Sequence, residues 1–451
     1  MSVMETAHKG RSLVARTGSI AAASFAQNAV AFVATIYVSR LLGPSGRGVY
    51  YLPILTATTV LAFCKLGVGQ TNVYLLGTKG IPLGRLSAQN TALALSAGLA
   101  GVLVMIAVPF FSPAMYAEVP AGSLFVAALL IPLGLHTQFS GGLLSLAGRP
   151  AVQYQAGIAG AFVQILVLVL LVMRSAVTPG TAVAAAVCGA AATWAVLSVR
   201  LSRLTPVTPA IDLALLRETL KTSIPLHAAS LLLLLHLRVD MFMVSSWRGP
   251  RALGLYSLAV TLGETLMLVT ESVALAILPE QVTGSIADAA RRSIEGVRAM
   301  VIVATIVCAG WIVLGRVLIL AAFGADYLPS YGPLVALLPG ILMLSLQRMC
   351  SAPALRAGRP SWFVLISGTS LACNAALNVL WIPRWGWYGA SMASTFSYTI
   401  SSLLFLLWTT RTAGVPLRAI VPDRNEWRLV RAAAARLVGR ATSADRERAP
   451  R

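Results

Sequence analysis

The octapeptide Gly43-Pro44-Ser45-Gly46-Arg47-Gly48-Val49-Tyr50 has a counterpart 206 residues later, Gly249-Pro250-Arg251-Ala252-Leu253-Gly254-Leu255-Tyr256. The pattern G-P-x-x-x-G-x-Y therefore stands twice in the chain. A second pair, Ala147-Gly148-Arg149-Pro150 and Ala357-Gly358-Arg359-Pro360, is separated by 210 residues. Each copy is a short polar turn between long apolar runs, where glycine and proline break helices and let the chain reverse. Two markers in one order, at nearly one spacing, indicate an internal duplication. Whatever one half of the chain builds, the other half must build again.

The apolar runs decide what is built. Of 451 residues, 57% are hydrophobic and 11% are charged, with a mean hydropathy of +0.79, whereas soluble domains carry roughly 25% charged residues. The fold class expected is all-α, a polytopic membrane protein, because β-barrels show weaker alternating segments of about ten residues. Twelve spans are predicted, at 14–41, 48–73, 87–110, 121–145, 151–173, 178–199, 220–246, 252–279, 297–321, 330–355, 361–383 and 387–410. The polar, basic stretch before the first run, and that run's length, predict a first span rather than a cleaved signal peptide. With six spans per half, both copies enter the membrane in the same direction. The halves are then two six-helix lobes (1–206 and 207–410) related by a pseudo-two-fold axis along the membrane normal.

Loop arginines and lysines place both termini on the cytoplasmic side of the cell membrane. The net charge of +20 reads as loop arginine near anionic lipid rather than as a nucleic-acid surface. Residues 411–451 form a basic tail: Asp423 and Glu426 are spaced as a capping box, and Trp427, Val430, Ala434 and Leu437 share one helical face. An amphipathic helix on anionic inner-leaflet lipids is expected there, the other reading being a partly disordered tail. The five cysteines lie in apolar runs with no C-x-x-C pair, which predicts small core residues and no metal site.

Ionisable groups at membrane depth are costly unless they face a cavity or a partner. Lys65, Arg238 and Arg348 are the cations, and Asp240, Glu264 and Glu271 the acids. Ser223, His227, Ser230, Arg238 and Ser245 line one face of span 7, and Ser24, Asn28, Thr35 and Ser39 repeat that stripe in span 1. His236 and Asp240 form an i, i+4 pair on the other side of span 7, either a proton relay or a packed hydrogen bond between helices. Span 4 carries His136 and Gln138, the latter equivalent to Arg348 in the repeat, and Ser367, Ser370, Asn374 and Asn378 line a face of span 11. These uncharged groups fit either a binding cavity or ordinary interhelical bonding. Arg238 and Arg348, deep in a bundle, require an anion or water. Adding 206 to Lys65 gives Glu271, a cation and an anion at equivalent depths that would form a gate latch if they met.

Three segments carry a resemblance. They are Ser39-Arg40-Leu41-Leu42-Gly43-Pro44 with Gly48-Val49-Tyr50, then Arg238-Val239-Asp240 with Gly254-Leu255-Tyr256-Ser257 and Glu264, then Asn378-Val379-Leu380-Trp381-Ile382-Pro383 with Gly386 and Gly389-Ala390. Over about residues 12–410 the chain resembles the polysaccharide flippases, in the superfamily that includes lipid II flippases and multidrug and toxin extrusion transporters. The resemblance implies a V-shaped pair of lobes, alternating access, and a cationic central cavity that Lys65, Arg238 and Arg348 would supply. The basic pattern of lipid II flippases around spans 1 and 2 is missing; Asn28 and Phe32 stand there.

The expected function is thus a flippase for a polyprenyl-pyrophosphate-linked oligosaccharide, whose compact anion suits the forked hydrogen bonds of arginine. The substrate contacts expected are Arg238, Arg348, Lys65, Asn28, His136, Gln138, Asn374 and Asn378. Gating or ion coupling falls to Lys65, Glu271, Glu264, Asp240 and His236, with H+ or Na+ as coupling ion and no other cofactor. The alternative is a cation-coupled multidrug-type exporter. A membrane-embedded glycosyltransferase is disfavoured by short external loops and the lack of a metal-binding acidic motif, so no enzyme is expected. Polysaccharide synthesis machinery is the expected protein partner.

Overall fold

The computed structural model describes residues 3–205, 212–282, 285–356, 360–423, 426 and 428. Thirteen helices make up the described chain: α1 (Val3–Cys64), α2 (Val68–Gly77), α3 (Leu83–Phe111), α4 (Pro113–Tyr116), α5 (Ala121–Ala128), α6 (Leu130–Leu146), α7 (Ala151–Met173) and α8 (Pro179–Ser202) form the first lobe. The second holds α9 (Leu213–Val282), α10 (Ile286–Phe323), α11 (Tyr331–Arg356), α12 (Pro360–Trp385) and α13 (Trp387–Ala413). Ten of the described helices are long and apolar enough to cross a membrane. Two of these hold stretches, Ala22–Cys64 with 43 residues and Ser230–Met267 with 38, that are too long for one crossing. At 1.5 Å per residue each is about twice the ~30 Å hydrocarbon thickness.

Both long helices break where the repeat predicts. Gly43 has φ 63°, ψ 178° and Gly249 has φ 77°, ψ −178°, a backbone region open essentially to glycine alone. Each of α1 and α9 therefore supplies two spans, and twelve crossings result, six per lobe. The duplication seen in sequence is a duplication of backbone geometry. Some boundaries differ from expectation. Span 2 ends early because Leu66 and Gly67 both take left-handed φ values of 50° and 68°. Span 4 is interrupted at Leu129, between α5 and α6. Span 9 starts well before the membrane, its first turn held by reciprocal Ser285 and Asp288 bonds.

The surface is that of a chain solvated by lipid. Leu95, Leu99 and Leu103 of α3, one turn apart, are 57%, 63% and 63% exposed, a stripe that water would penalise. Helices instead bury small residues. On α13 the buried face is Gly389, Ala390, Ser391, Ala393, Ser394, Ser397, Ser401 and Ser402. In the first lobe Gly160 of α7 and Gly189 of α8 each face the other's carbonyl oxygen. Close backbone approach supplies the packing that apolar burial cannot supply inside a membrane.

The two lobes meet at the end of the bundle that carries the G-P turns, called the turn end below. A Cβ on Gly48 would collide with the Pro250 carbonyl, and a Cβ on Gly254 with the Pro44 carbonyl. The contact is reciprocal, as a two-fold axis requires. Around it Arg47, 3% exposed, donates to Ser39 and to Ser257 Oγ (3.3 Å) and lies over the Tyr51 ring. Tyr327 donates to the Ser39 carbonyl (3.0 Å), and Arg40 donates to the carbonyls of Ala321 and Ala322 at the C-terminus of α10. A cation there also meets the negative end of the helix dipole.

At the opposite, terminus end the start of α9 is strapped to the first lobe. Lys79 pairs with Glu218 (3.3 Å), Arg85 with Asp212, and Gln89 donates to Thr219 (3.0 Å). The Leu215 N–H, followed by Arg85, holds the Asp212 carboxyl below the usual range. Asp423 and Glu426 do form the capping box, each accepting the other's backbone N–H at 2.8 Å. Glu426 also pairs with Arg298 of α10 (3.4 Å). The helical face expected at Trp427, Val430, Ala434 and Leu437 lies outside the described residues.

Two glycine pairs separate two costs. No atom crowds a Cβ at Gly43 or Gly249, so Gly43→Ala or Gly249→Ala should lower stability by about 1–3 kcal/mol through backbone strain alone. Gly48→Ala and Gly254→Ala lie in helix, where alanine is worth about 1 kcal/mol in a free helix, yet should destabilise by forcing the lobes apart. Thermal unfolding in detergent, with cysteine accessibility at the turn end, reads both. A rise in stability for Gly48→Ala would contradict the close contact.

Candidate substrate and ion-coupling site

Span 7, the part of α9 before Gly249, carries its charges to two different places. Residues 238 and 240 are two positions apart, hence about 200° around the helix. Arg238 turns toward the other lobe. Its Nη1 lies 3.0 Å from Glu264 Oε1, both side chains a little over a quarter exposed. Tyr51 of the first lobe stands beside this pair, its hydroxyl 3.6 Å from the Met241 sulfur on span 7. The anion that Arg238 requires is therefore supplied by the protein itself, from span 8.

Asp240 turns inward, into the second lobe, and is 1% exposed. Its carboxylate accepts from Tyr256 (2.6 Å), Ser394 (2.8 Å) and the Met241 N–H (2.7 Å). His236, on the same face, has Nε2 2.9 Å from Ser397 Oγ and packs edge-on against Tyr398. The two do not bond to each other: Ser397 meets His236 and donates to the Ser394 carbonyl, while the Ser394 hydroxyl donates to Asp240. Asn374 donates to Ser397 (3.0 Å) and Ser394 (3.3 Å), and Asn378 donates to the carbonyl and side-chain oxygens of Asn374 (both 2.9 Å). Asn378 Oδ1, Ser367 Oγ and Ser370 Oγ are buried with no hydrogen-bond partner among the described residues. A buried carboxylate with no ion-pair partner at contact distance among the described residues, tied through Ser394 and Asn374 to further polar side chains, is a group that can take up a proton or a small cation.

The other expected residues scatter. Arg348 is exposed on α11. It stands 17 residues from Tyr331 and Arg238 stands 11 before Gly249, placing them about 26 and 16 Å from the turn end. Gln138 is exposed on α6, and His136 is buried within the first lobe, its Nδ1 3.2 Å from Ser140 Oγ and its ring edge-on to Trp194. Asn28 donates to the Ser24 carbonyl of its own helix (2.9 Å). Lys65 is half-buried at the break ending span 2, near His227, whose Nε2 lies 3.3 Å from the Phe63 carbonyl. The Glu271 side chain lies outside the described residues, so the latch with Lys65 is not seen. Sequence reading missed Arg47, Tyr51, Ser394 and Ser397. Arg47 was legible as the basic residue inside the repeated turn; the serines, in a serine-rich helix, gave no signal.

The family described as polysaccharide biosynthesis protein matches residues 13–280. The chain belongs to this family. Solved structures agree on the fold. An inward-facing multidrug resistance MATE family transporter of the MOP superfamily superposes with TM-score 0.65 at 13% identity, covering 86% of this chain and 95% of that one. An outward-facing form gives 0.64 at 14%, covering 88% and 94%. A MOP superfamily transporter from Pyrococcus furiosus, described as having a binding pocket of reverse polarity, gives 0.63 at 11%, covering 88% and 94%. No curated protein sequence matches. The chain is thus a multi-pass membrane protein of this family, with the two-lobe, twelve-helix fold expected.

Removing Arg238 alone leaves Glu264 as an uncompensated, partly buried charge. Arg238→Ala should therefore destabilise by about 1–3 kcal/mol, and adding Glu264→Gln should recover most of it. A thermal-unfolding double-mutant cycle in detergent measures this. Strict additivity would mean that the two charges do not interact.

Proposed function

We propose that this protein flips a polyprenyl-pyrophosphate-linked oligosaccharide across the cytoplasmic membrane by alternating access. The observation that carries the reading is the Arg238–Glu264 pair: a guanidinium about midway through the bundle, facing the other lobe and partly accessible. A pyrophosphate arriving between the lobes offers Arg238 more acceptors than Glu264 does, so it would displace that carboxylate and keep the forked geometry. With the termini cytoplasmic, the turn end is external and closed in this conformation. Lys65 and Arg348, both nearer the terminus end, would draw the anion in from the cytoplasmic side. Anionic inner-leaflet lipid would hold the basic tail.

Asp240, with Asn374, Asn378 and Ser394, is the proposed site of the coupling ion, H+ or Na+. Its carboxylate is fully buried and bonded to two hydroxyls and an N–H. The multidrug-type alternative draws on the same carboxylate and on the fold of the solved neighbours. Vesicles containing the purified protein distinguish them: the flippase reading expects outward movement of a labelled lipid-linked glycan and no uptake of a labelled drug cation.

Two variants test the residues. Arg238→Lys should slow flipping less than Arg238→Ala, because charge survives and the fork does not; the alanine variant should lose about tenfold or more. Asp240→Asn keeps a hydrogen-bond acceptor for Tyr256 and Ser394 but loses the charge. Flipping in that variant should no longer respond to an imposed proton or sodium gradient. An unaltered gradient response would remove Asp240 from coupling.

A further inference from the structure

A cavity of about 410 Å³ opens between the lobes on the turn-end side of Arg238. The first lobe lines it with Thr56, Thr59 and Val60 of span 2, Val108 of span 3 and Tyr116 of α4. Span 7 lines it with Val239, Phe242, Met243 and Trp247. The span 7 residues fall on one helical face, and from Val239 to Trp247 the wall runs about 12 Å at 1.5 Å per residue.

The lining offers little to a polar ligand. Thr56 Oγ1 and the Tyr116 hydroxyl bond to each other (2.7 Å), and both Thr56 and Thr59 donate to carbonyls of their own helix (2.9 and 2.7 Å). What remains toward the cavity is methyl, thioether and aromatic surface, and methionine adapts its shape to irregular chains. The mouth faces lipid: Phe110 and Phe111, between lining residues Val108 and Ser112, are 81% and 86% exposed. Ser112, Ser246 and Trp247 are exposed at the rim, and tryptophan favours the level of the lipid headgroups. The volume is in the range of sites for one small ligand, so it fits a segment of chain and not a whole glycolipid.

We infer that this slot seats the isoprenoid chain of the lipid-linked substrate in the turn-end leaflet, while the headgroup is held at Arg238. The inference rests on the flippase reading and adds to it a hydrophobic subsite. Branched methyl groups along the chain face branched or flexible side chains, Thr59, Val60, Val239 and Met243, on opposite walls. The chain enters sideways from the bilayer and never passes through the polar centre between the lobes.

The test uses the full chain in vesicles of phosphatidylethanolamine and phosphatidylglycerol, with a polyprenyl phosphate carrying a diazirine in its chain. Illumination and peptide mapping should place label within 56–60 and 239–247, and excess unlabelled polyprenyl phosphate should displace it. Thr59→Trp and Met243→Trp, each filling the slot from one wall, should cut labelling about tenfold. Met243→Leu, close in volume, should retain it and so report on folding. Equal labelling by a phosphatidylglycerol with a diazirine in its acyl chain, with no displacement by polyprenyl phosphate, would show ordinary lipid contact and overturn the assignment. Labelling absent from both segments, or unchanged in both tryptophan variants, would do the same. Flipping of lipid-linked glycan is scored separately. If glycan moves without labelling, the slot falls and the flippase stands; if the slot labels and no glycan moves, the converse holds.

Discussion

Two glycine–carbonyl contacts hold the lobes together at one end: Gly48 against Pro250 and Gly254 against Pro44. Because each motif supplies both the glycine and the carbonyl, the contact can form only between two copies of the same turn. The pattern G-P-x-x-x-G thereby does three jobs. Its first glycine takes the backbone region that breaks the helix. Its proline carbonyl becomes the partner's floor, and its second glycine lets the partner in. Inside a lipid solvent, where burying apolar surface gives little driving force between helices, such close approach is a main source of cohesion. Arg47 seals the junction with hydroxyl partners from both lobes, Ser39 and Ser257.

Next to this junction, span 7 works as a divider. One face presents Arg238 to Glu264 and Tyr51 between the lobes; the opposite face sends His236 and Asp240 into the second lobe's serine and asparagine network. A conformational change that separates the lobes must part Tyr51 from the Arg238–Glu264 pair, which lies wholly in the second lobe. The second set is tied to spans 8, 11 and 12 and moves with its own lobe. That division gives a physical route by which a substrate between the lobes and an ion within one lobe could bias the same helix. Coupling then requires only that span 7 have two positions.

Among the described residues the first lobe shows no matching network. Positions equivalent to Arg238 and Glu264, by subtraction of 206, are Phe32 and Thr58, and Phe32 packs edge-on against Phe323 of the other lobe. The duplication has kept the backbone and diverged in chemistry, so the pseudo-symmetric frame encloses an asymmetric site.

Membrane residence, helical class, the twelve crossings and the two-fold relation were all legible in the sequence. They depend on local properties: apolar runs long enough to span, and glycine at backbone positions open to little else. The capping box at Asp423 and Glu426 was legible for the same reason, since its bonds close within four residues. Pairing was not. Sequence spacing placed Arg238 and Arg348 both at membrane depth, but spacing along each helix says nothing of relative height between helices, and they stand at different levels. Nor could it show that Glu264 completes Arg238, or that Ser394 and Ser397 separate His236 from Asp240, because each contact joins spans whose rotation is set by packing. A helix fixes which residues share a face; only the tertiary structure decides what that face meets.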